Sequence, residues 1–252
     1  MAISIDIPFL KISDRFNLSN IKFEIPDKKV TALVGNNGTG KTTLLNCLVK
    51  NQKIKKNQIL IDGNDITKIS YKMLAKQIAF IPQINDIFKD ISAYDYLSMG
   101  RLPHTNFLGI LNKNDRKIIN DVITELKIEK IVTQPIGKLS GGERQKIIIG
   151  NALVQQTPII VLDEPLSYLD LKSKEEIIGL ISQFSKIHQK TIVIVIHELE
   201  LAANIADQIV VFYDGKTSLI GEPKNVITST NIKKYFGVEK QVKFENNKFY
   251  IL

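Results

Sequence analysis

The chain contains no tryptophan and only one cysteine, Cys47, among 252 residues. A lone cysteine can form no disulfide within the chain and supplies no thiolate cluster for a metal, so a buried helix residue is its expected role. Also missing is any apolar run near the roughly 20 residues that a bilayer-spanning helix needs. If the protein works at a membrane, another chain spans it. Basic residues outnumber acidic ones, 34 to 26, for a formal charge of +8. They form no block, however, and are not interleaved with aromatics, which argues against a nucleic-acid partner. The N-terminal stretch Met1-Ala2-Ile3-Ser4-Ile5-Asp6-Ile7 alternates apolar and polar as a strand does. It lacks the charged start and continuous apolar centre of a signal peptide, so a cytoplasmic protein is expected. What is present, 44% hydrophobic and 24% charged residues, is ordinary globular composition for one domain.

The stretch around which the rest is arranged is Gly35-Asn36-Asn37-Gly38-Thr39-Gly40-Lys41-Thr42. It follows the apolar run Val30 to Val34 and precedes Thr43-Leu44-Leu45-Asn46-Cys47-Leu48, the strand, loop and helix context that a phosphate-binding loop requires. Its glycines let backbone N–H groups turn onto oxyanions, and the start of the following helix adds partial positive charge. Lys41 would reach the β- and γ-phosphates and the Thr42 hydroxyl would hold Mg²⁺. Kinases, GTPases and transport ATPases share such a loop, so it does not by itself name the reaction.

Around the loop the periodicity predicts alternating strands and helices. Ile21 to Ile25 is a second alternating strand, and Gln58 to Ile61 a third that closes on the Asp62-Gly63 turn. Ser70 opens a short helix, and Ile78 to Ile81 is a buried strand. Between Ile84 and Lys138 the character is helical, with Ile118, Ile119, Val122, Ile123 and Leu126 on one face and Asp115, Lys117, Asn120 and Asp121 elsewhere. A helix from Gly141-Gly142 through Val154 comes next. Buried strands at Ile159 to Leu162 and Thr191 to Ile196 flank a helix opening with a capping box at Ser173 to Glu176. Strand Gln208 to Tyr213, the Asp214-Gly215 turn, strand Lys216 to Ile220, and a tail of short helices and an Asn246-Asn247 hairpin complete the chain. Parallel strands alternating with helices around a phosphate loop predict a doubly wound α/β core.

Two further stretches narrow the chemistry. The strand before Asp163-Glu164-Pro165 ends in two carboxylates, where an α/β sheet presents its ligands. Asp163 is placed to hold Mg²⁺ and Glu164 to deprotonate the water that attacks the γ-phosphate. Leu139-Ser140-Gly141-Gly142-Glu143-Arg144-Gln145 offers free N–H groups and a hydroxyl at a helix start, a second anion site on the same chain.

Along essentially its full length the chain resembles the ATP-binding subunits of ABC transporters, and Leu139 to Gln145 is similar to the signature motif of that family. The resemblance implies a P-loop NTPase core with a mostly parallel doubly wound sheet. An N-terminal antiparallel β layer and a helical subdomain inserted at about 84–140 would complete one domain spanning 1–252. ATP and Mg²⁺ are the implied cofactors. Gly35 through Thr43 would hold the nucleotide, with Thr42, Gln83 and Asp163 on the metal. Glu164, His197 and Gln83 would be catalytic, His197 at the γ-phosphate and Gln83 touching the attacking water. Ser140, Gly141 and Gly142 would complete the site of an opposing copy, and Asp170, in Ser167-Tyr168-Leu169-Asp170, would contact that copy. The implied partners are a second copy in the ATP-bound state, integral membrane permease subunits, and indirectly a substrate-binding protein, at the cytoplasmic face of the membrane.

A narrower resemblance, carried by Met99-Gly100-Arg101-Leu102-Pro103-His104, is to importers of iron–siderophore complexes, haem and cobalamin. By composition alone this segment is a solvated loop between helices. The alternative function is a soluble ABC-type ATPase with a non-transport role such as iron–sulfur cluster assembly, which would share every catalytic residue. Departures from the family pattern are Lys146 after Gln145, Gly150-Asn151, and Ile12 where an aromatic usually stacks on adenine. Phe16, or Phe9 before it, would then supply the ring, with Asp14-Arg15 as a turn that allows it.

Overall fold

The alternation at the N-terminus becomes a hairpin. The computed structural model describes residues 1–14, 16–83 and 89–252. In it β1 (Ile3–Lys11) pairs antiparallel with β2 (Asn17–Ile25), Ile3 opposite Ile25 and Ile7 opposite Ile21. Ile3, Ile5, Ile7, Ile21, Phe23 and Ile25 are all buried, because a period of two puts them on one face. The chain enters β3 (Val30–Val34), buried throughout, and passes through the glycine loop into α1 (Lys41–Leu48), which carries the buried Cys47. Strand β4 (Ile59–Ile61) pairs with β1, and the Asp62-Gly63 turn, both residues at positive φ, returns it as β5 (Asn64–Asp65). These four strands form the antiparallel layer, in the order β2-β1-β4-β5. Helix α2 (Tyr71–Leu74), capped by the Ser70 hydroxyl, leads into β6 (Ile78–Ile81).

Helices α3 (Ala93–Met99), α4 (Lys113–Leu126) and α5 (Gly141–Val154) follow. Residues 84–88, the start of the segment expected to be helical, lie outside the described residues. Ile119, Val122, Ile123 and Leu126 of α4 are buried at the expected spacing. Asp115 departs from the expectation that it faces solvent: it is 1% exposed. The charge is tolerated there because Arg101 Nε donates to its carboxylate at 2.9 Å and the Asn112 N–H at 3.0 Å. Arg101 is buried too and does not sit on a solvated loop. Its Nη1 donates to the Val154 carbonyl and to Gln156 Oε1, while His104 Nε2 meets the Gln155 carbonyl. The segment after α3 is thereby stapled to the C-terminal end of α5.

The chain continues through β7 (Ile159–Asp163), α6 (Leu171–Lys186), β8 (Thr191–Val195), α7 (Leu199–Ile205), β9 (Gln208–Tyr213) and β10 (Lys216–Gly221). It closes with α8 (Pro223–Val226), α9 (Ser229–Phe236) and the hairpin of β11 (Val242–Glu245) and β12 (Lys248–Ile251). The expected capping box at Ser173 is corrected. Helix α6 begins one turn earlier, at Asp170, whose carboxylate accepts the Ser173 N–H at 2.8 Å and its hydroxyl at 3.0 Å. A carboxylate three residues upstream claims the N–H and hydroxyl of Ser173, so Ser173 sits inside the first turn.

The central sheet has the order β10-β9-β3-β8-β7-β6, parallel except for β10 at one edge. Successive strand residues feed opposite faces. Leu33, Val161, Val193 and Val210 pack with α1 and the antiparallel layer. Ala32, Val34, Ile160, Leu162 and Ile194 pack with α3 to α6. Both faces are covered, which is why these strands read as continuous apolar runs. Among the described residues no helix is long and apolar enough to cross a membrane.

Candidate functional site

The loop between β3 and α1 is narrow because two of its glycines leave no room for a side chain. A Cβ on Gly35 would lie 2.3 Å from the Phe212 carbonyl oxygen, and one on Gly40, at φ 102°, would lie 2.2 Å from Leu18 Cδ2. Such a backbone is the condition for ringing an oxyanion with N–H groups. Lys41 is 5% exposed, and its Nζ donates to the carbonyls of Gly35 (2.8 Å) and Asn36 (2.9 Å). The ammonium is folded back across its own loop. Burial pushes its pKa down, while the charges of Glu164 and Asp163 push the other way.

Asp163 ends β7 directly behind this lysine. Thr42 Oγ1 donates to Asp163 Oδ1 at 3.1 Å. Burial raises the Asp163 pKa, opposed by the Thr42 hydroxyl and reinforced by the charge of Glu164. A hydroxyl and a carboxylate side by side are hard oxygen donors, the chemistry that Mg²⁺ selects, so Thr42 and Asp163 fit that ion. A cation there would oppose the effect of burial and favour the ionised carboxylate.

Glu164 gathers residues from distant parts of the chain. Its Oε1 lies 2.5 Å from His197 Nε2, and its Oε2 accepts Gln83 Nε2 at 2.9 Å and Ser167 Oγ at 3.1 Å. The structure thus brings together Glu164, His197 and Gln83, three residues picked out from the sequence. The hydrogen bond of Gln83 goes to the Glu164 carboxylate. The fourth member, Ser167, was quoted in the sequence only as part of its loop; its spacing of three from Glu164 is the signal that could have found it.

Phe16, Lys41, Thr42, Gln83, Glu164 and His197 line one cleft of 690 Å³ together with Asn37, Gly38, Gly40, Thr43 and Tyr168. The Phe16 carbonyl accepts the N–H groups of Ile12 (3.2 Å) and Ser13 (3.0 Å). Ile12 and Phe16 both pack against the core, Ile12 is not among the residues lining the cleft, and Phe9 is exposed outside it. Arg15, half of the expected Asp14-Arg15 turn, lies outside the described residues. Tyr168, also unassigned from the sequence, is 93% exposed at φ 63°.

The residues of the second anion site are elsewhere. Gly141 borders a separate groove with Arg144, Gln145, Tyr168 and Leu169. Ser140 caps α5: its N–H and Oγ donate to Glu143 Oε2 at 3.0 and 2.7 Å, and the hydroxyl bond in particular holds the Glu143 carboxyl below its usual range. Gly142 abuts α6, where a Cβ would meet Ser173 Oγ at 2.2 Å. Asp170 caps that same helix, and its pKa is lowered by the Ser173 N–H and then by the Ser173 hydroxyl.

Residues 18–167 match the protein family described as ABC transporter. The achromobactin transport ATP-binding protein of Dickeya dadantii is 31% identical over 225 residues, 89% of this chain and 84% of that protein. The iron(3+)-hydroxamate import ATP-binding protein of Bacillus subtilis is 33% identical over 229 residues, 91% of this chain and 85% of that protein. An ATP-binding cassette solved as a dimer in a post-hydrolysis state, bound to ADP and Pi, shares the fold at a TM-score of 0.75 and 23% identity. The match covers 88% of this chain and 99% of that one.

Proposed function

The chain belongs to the ABC transporter family, and from that premise we propose that it is the ATP-binding, ATP-hydrolysing subunit of an importer of iron–siderophore complexes. The names of its relatives, which carry achromobactin and iron(3+)-hydroxamate, support the cargo class. The observation that carries the enzymatic part is the Glu164 carboxylate, held between His197, Gln83 and Ser167 in the cleft that contains Lys41.

In this reading Lys41 exchanges the carbonyls of Gly35 and Asn36 for β- and γ-phosphate oxygens when ATP enters, so the loop is already shaped around the charge it will share. Glu164 takes the proton of the attacking water, and His197, on its other oxygen, faces the γ-phosphate. Gln83 leaves Glu164 to orient that water. Mg²⁺, held by Thr42 and Asp163 with Gln83 nearby, would draw charge from the transferred phosphoryl group.

Ser140, Gly141 and Gly142 are not among the residues lining the Lys41 cleft, which supports a site completed by a second copy in the ATP-bound state. ATP then closes the pair and hydrolysis opens it, a ligand-driven two-state switch. We read the helices within about 84–140 as an inserted subdomain through which membrane permease subunits, at the cytoplasmic face, sense this switch. A substrate-binding protein is reached only through that permease.

Glu164→Gln tests the assignment. Turnover is expected to fall about 10²- to 10⁴-fold while MgATP still binds, so the variant accumulates as an ATP-bound dimer by light scattering. Near wild-type turnover, or a monomer at saturating ATP, overturns it. For the cargo, the protein reconstituted with its permease should hydrolyse ATP faster with a ferric siderophore. Stimulation by no ferric chelate would favour a non-transport role.

A further inference from the structure

Two donors converge on one oxygen of Glu164. Gln83 Nε2 and Ser167 Oγ lie 2.9 and 3.1 Å from Oε2, while His197 faces Oε1. The two donors differ in origin. Gln83 comes from beyond the end of β6, whereas Ser167 belongs to the same turn as Glu164. That turn is made by the backbone alone. The Ser167 N–H donates to the Glu164 carbonyl at 3.2 Å, and left-handed residues bracket the segment, Glu164 at φ 50° and Tyr168 at φ 63°. Alanine would keep every one of these features. The hydroxyl is therefore surplus to folding the loop, and its bond goes to the carboxylate.

We propose that Ser167 is a positioning residue for Glu164, fixing the rotation of its carboxylate while Gln83 is engaged with water and nucleotide. The inference rests on the reading of Glu164 as general base. In the structure described, Oε2 has both donors. When Gln83 withdraws, Ser167 is the group that remains on that oxygen. It lies three residues from the base, on a turn short enough to move with it. Without the hydroxyl, Oε2 would be unpartnered at the moment when the base must point at the water, and the reactive geometry would be sampled less often.

The test uses the full chain with MgATP. Ser167→Ala should lower kcat about tenfold, the order expected for one lost hydrogen bond to a charged group, with KM little changed. Ser167→Thr, which keeps the hydroxyl, should recover most of that loss, and all variants should melt at the wild-type temperature. In a Glu164→Gln background, Ser167→Ala should cost nothing further, because its action passes through the carboxylate. A wild-type kcat in Ser167→Ala, a threonine variant as slow as alanine, or an undiminished loss in the Glu164→Gln background would each overturn the proposal. Failure of the base assignment has a separate sign: Glu164→Gln itself would turn over at close to the wild-type rate.

Discussion

Two clusters of charged side chains join remote parts of this chain, and they are built in opposite ways. In the first, Arg101 and Asp115 have side-chain exposures of 4% and 2%. Their further partners are the Asn112 N–H and the Val154 carbonyl of the backbone and the side-chain oxygen of Gln156. In the second, His197 and Glu164 are 37% and 15% exposed and face an open cleft. Every partner there is a side chain, and two of them, Gln83 and His197, come from other parts of the chain. A buried, satisfied charge network locks a geometry. One open to solvent can trade protein partners for a ligand, and it is the second kind that can do chemistry.

If that contrast is right, the phenotypes of the two clusters should cross. Glu164→Gln should remove about 10²- to 10⁴-fold in turnover and leave the melting temperature where it was. Arg101→Met strands the Asp115 carboxylate and should cost about 3–5 kcal/mol of stability, read by urea denaturation, with turnover per folded molecule preserved. A stable Arg101→Met protein, or a Glu164→Gln protein that melts early, would erase the distinction.

Acid sharpens it further. Burial works against ionising Asp115, but the Asn112 N–H and the Arg101 guanidinium outweigh it and hold the carboxyl below its ordinary value. A depressed folded pKa contributes stability that is complete above the unfolded value, about 4, and is lost as pH falls through the folded one. The advantage of wild type over Arg101→Met should therefore shrink below about pH 4, and the two urea midpoints should converge. A gap independent of pH would mean that the pair is not ionised. The smallest expected effect belongs to the ring at the rim of the open cleft. Phe16→Ala should weaken ATP binding about tenfold if that ring stacks on the base, without lowering the melting temperature. Titration with a fluorescent ATP analogue measures this, and unchanged affinity removes Phe16 from base recognition.

Much of this architecture was legible because it is local. The phosphate loop, the strand ending in Asp163-Glu164 and the buried strands announce themselves through spacing and period alone. Features that were misread depend on partners that no periodicity displays. Asp115 sits where a helical pattern predicts solvent, and only an arginine 14 positions earlier makes its burial possible. The start of α6 was misplaced because Ser173 and Asp170 are both good caps, and only the folded backbone shows which accepts. Gln83 and Glu164 are 81 positions apart; family resemblance named both, but neither residue type nor spacing foretold that they touch.

The packing of Gly142 on Ser173 has a mechanical meaning. There is no space for even a methyl group between them, so the first turns of α5 and α6 are packed in direct contact. Ser140 caps one helix and Asp170 the other. Under the function proposed above, Ser140 and Asp170 would then be carried by one packed unit, so a displacement of the first would be passed to the second through the contact of Gly142 with Ser173.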